Sequence, residues 1–432
     1  MRFCMITTFY PPHSFGGDGV YVRWLAHELA QRGHHVEVVH CIDAYRSMAR
    51  GEAAGLAVEF GAANQPDHTS KSDVIVHGLR SRFGPLSPLA THQTGKPVFK
   101  AARLQEILRA GFDVIHYHNI SLVGGPGVLT LGQGIKLYTL HEYWLVCPTH
   151  LLFRYGRATC PGADWRCLFC TLIYRRPPQW WRYTGLLRDA ARHVDVFIAP
   201  SKFCLDKHRE MGLSRPMVHL PNFAPEQPAS SVTEPFIGPM PPGRPAGDEP
   251  YFLYVGRLEK IKGLQTLIPV FDGSNPASLW VAGAGSCEPD LRRLAGGSVR
   301  FLGYQSGPRL RSLIRDAVAL IVPSLVWEIA PLVILEAFRE KTPVIVRHQG
   351  GMPEMVEASG GGFVYRTEGE LTTAIRQLLT DRRLRDDMGQ RGHAAFQSNW
   401  TADVHLDRYL KLIHGMMNRP AAGTDRPEKR LR

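Results

Sequence analysis

In the stretch PSLVWEIAPLVILEAF, residues 323–338, two carboxylates stand with seven residues between them. The order predicts a strand end, then Glu328 in a loop, a turn at Pro331, and a helix that carries Glu336 about a turn and a half along. Both carboxylates then reach one ligand from different depths. Sugar hydroxyls donate to carboxylates, and the backbone amides near Ile329, Ala330 and Leu332 at the helix start suit a diphosphate. The plainer alternative is a pair of solvated glutamates favoured by the helix dipole, an effect of about 0.3–1 kcal/mol each.

Two cations point to the same chemistry. In VGRLEKIKG (255–263), Arg257 lies just past a predicted strand end and Lys262 follows five residues later. Such a pair clamps a diphosphate and stabilises the charge that builds on a departing nucleotide, so catalysis requires no metal or other cofactor. Gly16 and Gly17 fall between the first predicted strand and helix, where bare amides bind phosphate or sugar oxygens, or simply form a tight turn. The full G-x-G-x-x-G pattern is absent, which argues against nicotinamide or flavin. Three histidines end two further strands: His116 and His118 in DVIHYHN (113–119) and His141 in TLHEYW (139–144). A strand-end histidine is commonly a hydrogen-bonded structural group, while nearby phosphate would favour its protonated form.

Four of the eight cysteines, Cys147, Cys160, Cys167 and Cys170, fall within 24 residues, the last two as CLFC. In a reducing compartment that spacing predicts a tetrahedral structural zinc, or an iron–sulfur cluster, with His150 able to replace one thiol. Buried apolar thiols beside an idle or redox-active pair are the alternative.

Short apolar runs separated by helical stretches must position these groups. Strands are predicted at 2–8, 35–41, 113–118, 136–140 and 194–200, and a second series at 251–256, 278–283, 299–303, 318–324 and 342–347. Each series reads as a parallel, doubly wound α/β sheet that binds ligands at its strand C-termini. The first domain spans 1–222 with a Cys-rich insertion at about 144–182, a Pro-, Gly- and Ser-rich linker covers 223–250, and the second domain spans 251–400. A helix at 401–417 and a disordered tail at 418–432 complete the chain. Its 432 residues exceed the ~250–300 at which single cores stop growing.

A formal charge of +12 favours anionic partners, and with no recognisable nucleic-acid module these are phosphorylated substrates or acidic lipid. Tyr174, Trp180 and Trp181, set among arginines, suit a membrane interface or a lipid-linked acceptor, or else plug a loop onto the core. No run of about eighteen apolar residues exists, and MRFCMITTFYPP lacks the features of a signal peptide. The expectation is a cytoplasmic protein, peripheral at the inner face of an anionic membrane.

The glycine pair after the first strand, G-R-L-x-x-x-K-G after the linker and E-x7-E at a helix start together resemble the family 4 glycosyltransferases of the GT-B fold, over nearly the whole chain. The resemblance implies two facing Rossmann-like domains and retaining transfer of a hexose from a nucleotide-diphosphate sugar to a glycan or lipid-linked hydroxyl. It puts the diphosphate on Arg257 and Lys262, the donor sugar at Glu328 and the ribose at Glu336, with the C-terminal helix crossing back to the first domain. It also implies a histidine beside the donor sugar. His118, furthest toward the strand mouth, is the choice, with His116 and His141 as rivals. Two departures stand out: Lys341 where such proteins usually carry glycine, and Ile329-Ala330-Pro331 where glycine is common. Pro331 removes an amide donor and adds bulk, which bears on the sugar's identity. A sugar-nucleotide epimerase or hydrolase on the same fold, and a non-catalytic basic binding protein, are the competing readings.

Overall fold

Strands covered on both faces read as nearly continuous apolar runs, and Phe3 to Ile6 and Val344 to Val346 have no solvent contact. The structure, a computed structural model, describes residues 1–49, 74–160, 162–226, 249–273 and 277–418. Most of the expected linker and the expected tail beyond Asn418 lie outside these residues.

The first sheet holds β1 (Arg2–Ile6), β2 (His35–Cys41), β3 (Ile75–Leu79), β4 (Val114–Tyr117) and β5 (Ile135–Thr139). After a small antiparallel pair, β6 (Phe153–Arg154) and β7 (Ala158–Thr159), it adds β8 (Val196–Ala199) and β9 (Met217–His219). Its order is β3-β2-β1-β4-β5-β8-β9, parallel throughout. The second sheet holds β10 (Tyr251–Val255), β11 (Ser278–Ala282), β12 (Val299–Gly303), β13 (Leu320–Val322), β14 (Val344–Arg347) and β15 (Gly362–Tyr365). Its order is β12-β11-β10-β13-β14-β15, again parallel. Successive strand residues point to opposite faces, so Cys4 and Ile6 enter one core of the first sheet while Phe3 and Met5 enter the other. These are two Rossmann-like α/β units.

Besides the short β6–β7 pair, three strands of the two parallel sheets escape sequence pattern among the described residues. β3 is an edge strand with mostly exposed side chains and His77-Gly78 in its middle, β9 has only three residues, and β15 begins at a glycine. The first helix, Gly17–Gln31, takes in the second glycine of the expected strand–helix junction, with Gly16 extended at its N-cap. Gly19 belongs to its first turn because a Cβ there would lie 2.3 Å from the Ser14 hydroxyl oxygen.

The Ala402–Met417 helix packs on the first sheet, not the second: Leu406, Tyr409 and Ile413 share a core with Phe3 and Met5. Thr401 caps it by accepting from the Val404 amide.

Lys341, just past the Leu332–Arg339 helix, has φ +62°. That left-handed backbone explains why glycine suits the position, since a side chain there costs about 1–2 kcal/mol. Lys341→Gly is expected to stabilise the chain by roughly 0.5–1 kcal/mol once the greater freedom of unfolded glycine is subtracted. Urea unfolding with an unchanged m-value checks it, and an unchanged or lower midpoint refutes it.

Candidate functional site: a cleft between two sheets

Both sheets turn the C-terminal ends of their strands toward one cleft of about 1350 Å³. From the first sheet come Gly16, Gly17 and Asp18 after β1, Asn119 after β4, and His141 and Glu142 after β5. From the second come Arg257 after β10, Gly283 and Ala284 after β11, and the loop from Val326 to Leu332 after β13. Gly16, Gly17, Arg257, Lys262, Glu328, Ile329, Ala330, Leu332 and Glu336 therefore meet at one site.

The donor-side charges are already organised. Lys262 Nζ lies 2.7 Å from Glu328 Oε1, and the Ser324 hydroxyl donates to the same oxygen. Burial pushes the Glu328 carboxyl up, but Lys262, Ser324 and Arg257 outweigh it and hold the group below the usual carboxylate range. Arg257 Nη1 pairs with Glu259 Oε1 at 2.7 Å. Glu336 is different: burial raises it, Glu340 adds to the rise, and Arg339 only partly offsets it.

The loop that carries Glu328 is clamped from both sides. Ile329 is buried in a core of the first sheet, and Trp327 lies with its ring 5.6 Å from Phe203 and under the Lys207 ammonium at 4.6 Å. Asn222 Nδ2 donates to the Ala330 carbonyl at 3.2 Å. On the other side Gly350, at φ +63°, admits the loop, since a Cβ there would lie 2.1 Å from the Glu328 carbonyl oxygen. A Cβ at Gly17 would touch Leu332 at 3.5 Å, so the starts of the Gly17–Gln31 and Leu332–Arg339 helices stand face to face. First-turn amides have no intrahelical partner, and both helix ends carry partial positive charge.

The histidine choice is corrected. His141 borders the cleft; His118 is buried behind it, its Nδ1 3.0 Å from His141 Nε2. His116 lies deeper, bonded to Thr139 Oγ1 at 2.8 Å and to the Tyr409 hydroxyl at 2.9 Å. Nor does the site protonate them. Burial lowers His141 to about 4 against the opposing pull of Glu142, and burial with neighbouring histidines takes His116 and His118 well below the ordinary value.

The insertion splits the expectations made of it. Trp181 is buried and donates to the His92 carbonyl at 2.8 Å, whereas Trp180 is exposed. Arg182 stacks on Trp144 and Trp181 and donates to the Trp144 carbonyl at 2.5 Å, and burial lowers its guanidinium to about 10. Cys147, Cys160, Cys167 and Cys170 lie close enough for the first two thiols, after burial, to raise the last two. Yet among the described residues no three Cys, His, Asp or Glu side chains form a group that could hold a metal. The Cys147 sulfur bonds with the Thr149 hydroxyl, and the Cys160 thiol donates to the Gly162 carbonyl.

Residues 15–227 match the Glycosyltransferase Family 4 model, and residues 240–395 match that of Glycosyl transferases group 1. The chain belongs to the family 4 glycosyltransferases. It is 31% identical over 173 residues to the lipopolysaccharide core biosynthesis glycosyltransferase LpsE of Rhizobium meliloti, covering 38% of this chain and only 50% of that protein. It is 26% identical to glycogen synthase of Mycobacterium tuberculosis over 88% of this chain and 86% of that protein. Sucrose-phosphate synthase from Thermosynechococcus elongatus superposes with TM-score 0.69 at 20% identity, covering 96% of this chain and 99% of that one. Anabaena HepE in complex with UDP and glucose superposes with TM-score 0.62 at 16% identity, covering 96% and 100%. The GT-B fold is common to them.

Against this GT-B frame, sequence reasoning missed the first-sheet wall of the cleft. Asp18 is raised by burial and by Glu142, against the Gly19 amide, Asn119 and, from across the cleft, Arg257. Glu142 bonds His150 Nδ1 at 2.7 Å, and Arg176 lines the same wall. Asp18 and Glu142 stand in GGD and TLHEYW, directly beside the glycines and the histidine that sequence reasoning picks out.

Glu336 also has a consequence for stability. Its folded carboxyl titrates above the unfolded one, so the folded state binds the extra proton and stability falls as pH rises between the two values. Glu336→Gln is expected to raise the urea midpoint of the unliganded protein at pH 7, with the gain shrinking below pH ~4, where both states are protonated. A gain that does not change with pH would refute the assignment.

Proposed function

We propose that this chain is a retaining hexosyltransferase that moves a sugar from a nucleotide-diphosphate donor to a hydroxyl of a glycan or lipid-linked acceptor. The observation that carries the reading is the meeting, in one interdomain cleft, of two facing helix N-termini with Arg257, Lys262, Glu328 and Glu336. Arg257 and Lys262 neutralise the departing diphosphate as its charge grows, aided by the amides of both helix ends. Glu336 accepts from the ribose hydroxyls, and Glu328, kept ionised by Lys262, holds the hexose. His141, neutral and facing the cleft, hydrogen-bonds the donor sugar on the acceptor side. Retention follows when the leaving phosphate oxygen takes the proton of the incoming hydroxyl on the same face, through an oxocarbenium-like state. The UDP and glucose bound to the HepE neighbour support a nucleotide-sugar donor, and LpsE supports an envelope glycan acceptor. With such an acceptor the work is done from the cytoplasm at the inner membrane face.

The test is nucleotide diphosphate release from UDP-, GDP- and ADP-sugars, with and without a lipid-linked acceptor extract. One donor is expected to turn over in an acceptor-dependent way, and Arg257→Ala and Glu336→Ala should each lower kcat/KM by about 100-fold or more. His141→Asn should lower kcat more than it raises KM. Turnover without acceptor would favour the epimerase or hydrolase reading, and no binding of any donor would overturn the assignment.

A further inference from the structure

Of the sixteen exposed large apolar side chains among the described residues, eleven fall in two short segments, 83–99 and 165–183. The second segment supplies Trp165, at 69% exposure, Phe169, Leu172, Ile173, Trp180 and Tyr183. The first supplies Phe83, Leu86, Leu89, Val98 and Phe99. The segments adjoin: Trp181 donates to the His92 carbonyl, and a Cβ on Gly95 would lie 3.0 Å from Trp181 and 2.8 Å from Leu186. The two segments touch at this point.

The charge around them is mainly positive, the exposed Asp164 being paired with Arg154. Arg82, Lys96, Arg157, Arg166 and Arg175 are exposed here, and none has an ion pair with a carboxylate among the described residues. Arg82 lies over Phe83 at 4.8 Å and Arg166 over Trp165 at 5.6 Å. Flat rings with guanidinium groups beside them match a bilayer interface, where rings settle at headgroup level and cations meet phosphate. No helix of the described residues is long and apolar enough to cross a membrane.

The same segments reach the cleft from behind: His92 lines it from the first, and Arg176 and Pro177 from the second. We infer that this face docks on an anionic phospholipid bilayer and sets the first-sheet wall of the cleft at the membrane, so that a lipid-linked acceptor enters with its anionic headgroup toward Arg176. The docking stands on the surface alone; the acceptor's role rests on the transferase reading.

The full chain is sedimented with phosphatidylcholine vesicles, with and without phosphatidylglycerol. Wild type is expected to bind the anionic vesicles at least tenfold more tightly, with the difference lost at high salt. Trp165→Ser with Trp180→Ser, and separately Arg166→Glu with Arg175→Glu, should each weaken binding on the order of tenfold. Binding of the soluble nucleotide-sugar donor and the melting temperature should stay at wild-type values. Leu86→Ser with Phe99→Ser serves where the tryptophan pair fails to fold. Wild type that ignores anionic vesicles, or variants that bind as wild type does, would overturn the docking. So would a concentration-dependent dimer that the tryptophan pair dissolves, because the face would then belong to a second copy. Failure of the transferase reading shows separately, as absent donor turnover with intact vesicle binding.

Discussion

The site depends on how the loop between β13 and the Leu332–Arg339 helix is held. Its charged residue, Glu328, belongs to the second sheet by chain and hydrogen bonding, but its apolar neighbours Trp327 and Ile329 are seated in the first. The loop cannot move with either unit alone. Burying Ile329 and half of Trp327 contributes on the order of a few kcal/mol, so the two halves are held at the place where the helix ends face each other. Glu354 adds to this clamp by accepting from the Lys202 and Phe203 amides at 2.9 and 3.1 Å, a carboxylate of one unit capping a helix of the other.

Within that clamp the electrostatics separate by environment. Carboxylates of one chemical type are driven apart, Glu328 downward by the Lys262 ammonium and Asp18 and Glu336 upward by burial. Opposed shifts within one cleft are what distinct roles require. The nearby histidines are lowered first by burial, and His116 and His118 also by their histidine neighbours, His116 lying 4.1 Å from His118 ring to ring and His118 stacking on His141 at 5.2 Å. Positive charge on the donor side of the cleft therefore comes from Arg257, Lys262 and the helix ends rather than from histidine.

The donor side was legible because its residues follow strand ends in local order: Arg257 and Lys262 after β10, Glu328 after β13, Glu336 on the next helix. The acceptor side was not. His118 lies further along the chain than His116, yet it is level with Thr139 at the end of neighbouring β5, and His141 in the following turn covers it from the cleft; that relation is set between strands and leaves no trace in either alone. Edge strand β3 carries no apolar run because one of its faces is in solvent. In the insertion, CLFC reads as a metal knuckle by spacing, while what fastens the segment is a set of distant contacts such as Tyr174 to the Phe153 carbonyl and Arg176 to the Thr149 carbonyl.

The helix that ends the described chain shows how far such relations extend. The Tyr409 hydroxyl holds His116, which lies against His118, which bonds His141, while His405 holds the Tyr21 hydroxyl at 3.0 Å and the Tyr21 ring lies 4.9 Å from His141. The cleft histidine is thus oriented along two routes that both begin on the Ala402–Met417 helix, more than 250 residues away in sequence. Both anchors are buried, and an unmade hydrogen bond there costs about 1–3 kcal/mol. A shift of the helix would therefore reach His141 as a change of ring orientation before it changed the cleft's outline. The return of the chain to the first sheet fixes the geometry of the site as much as it fastens the two halves together.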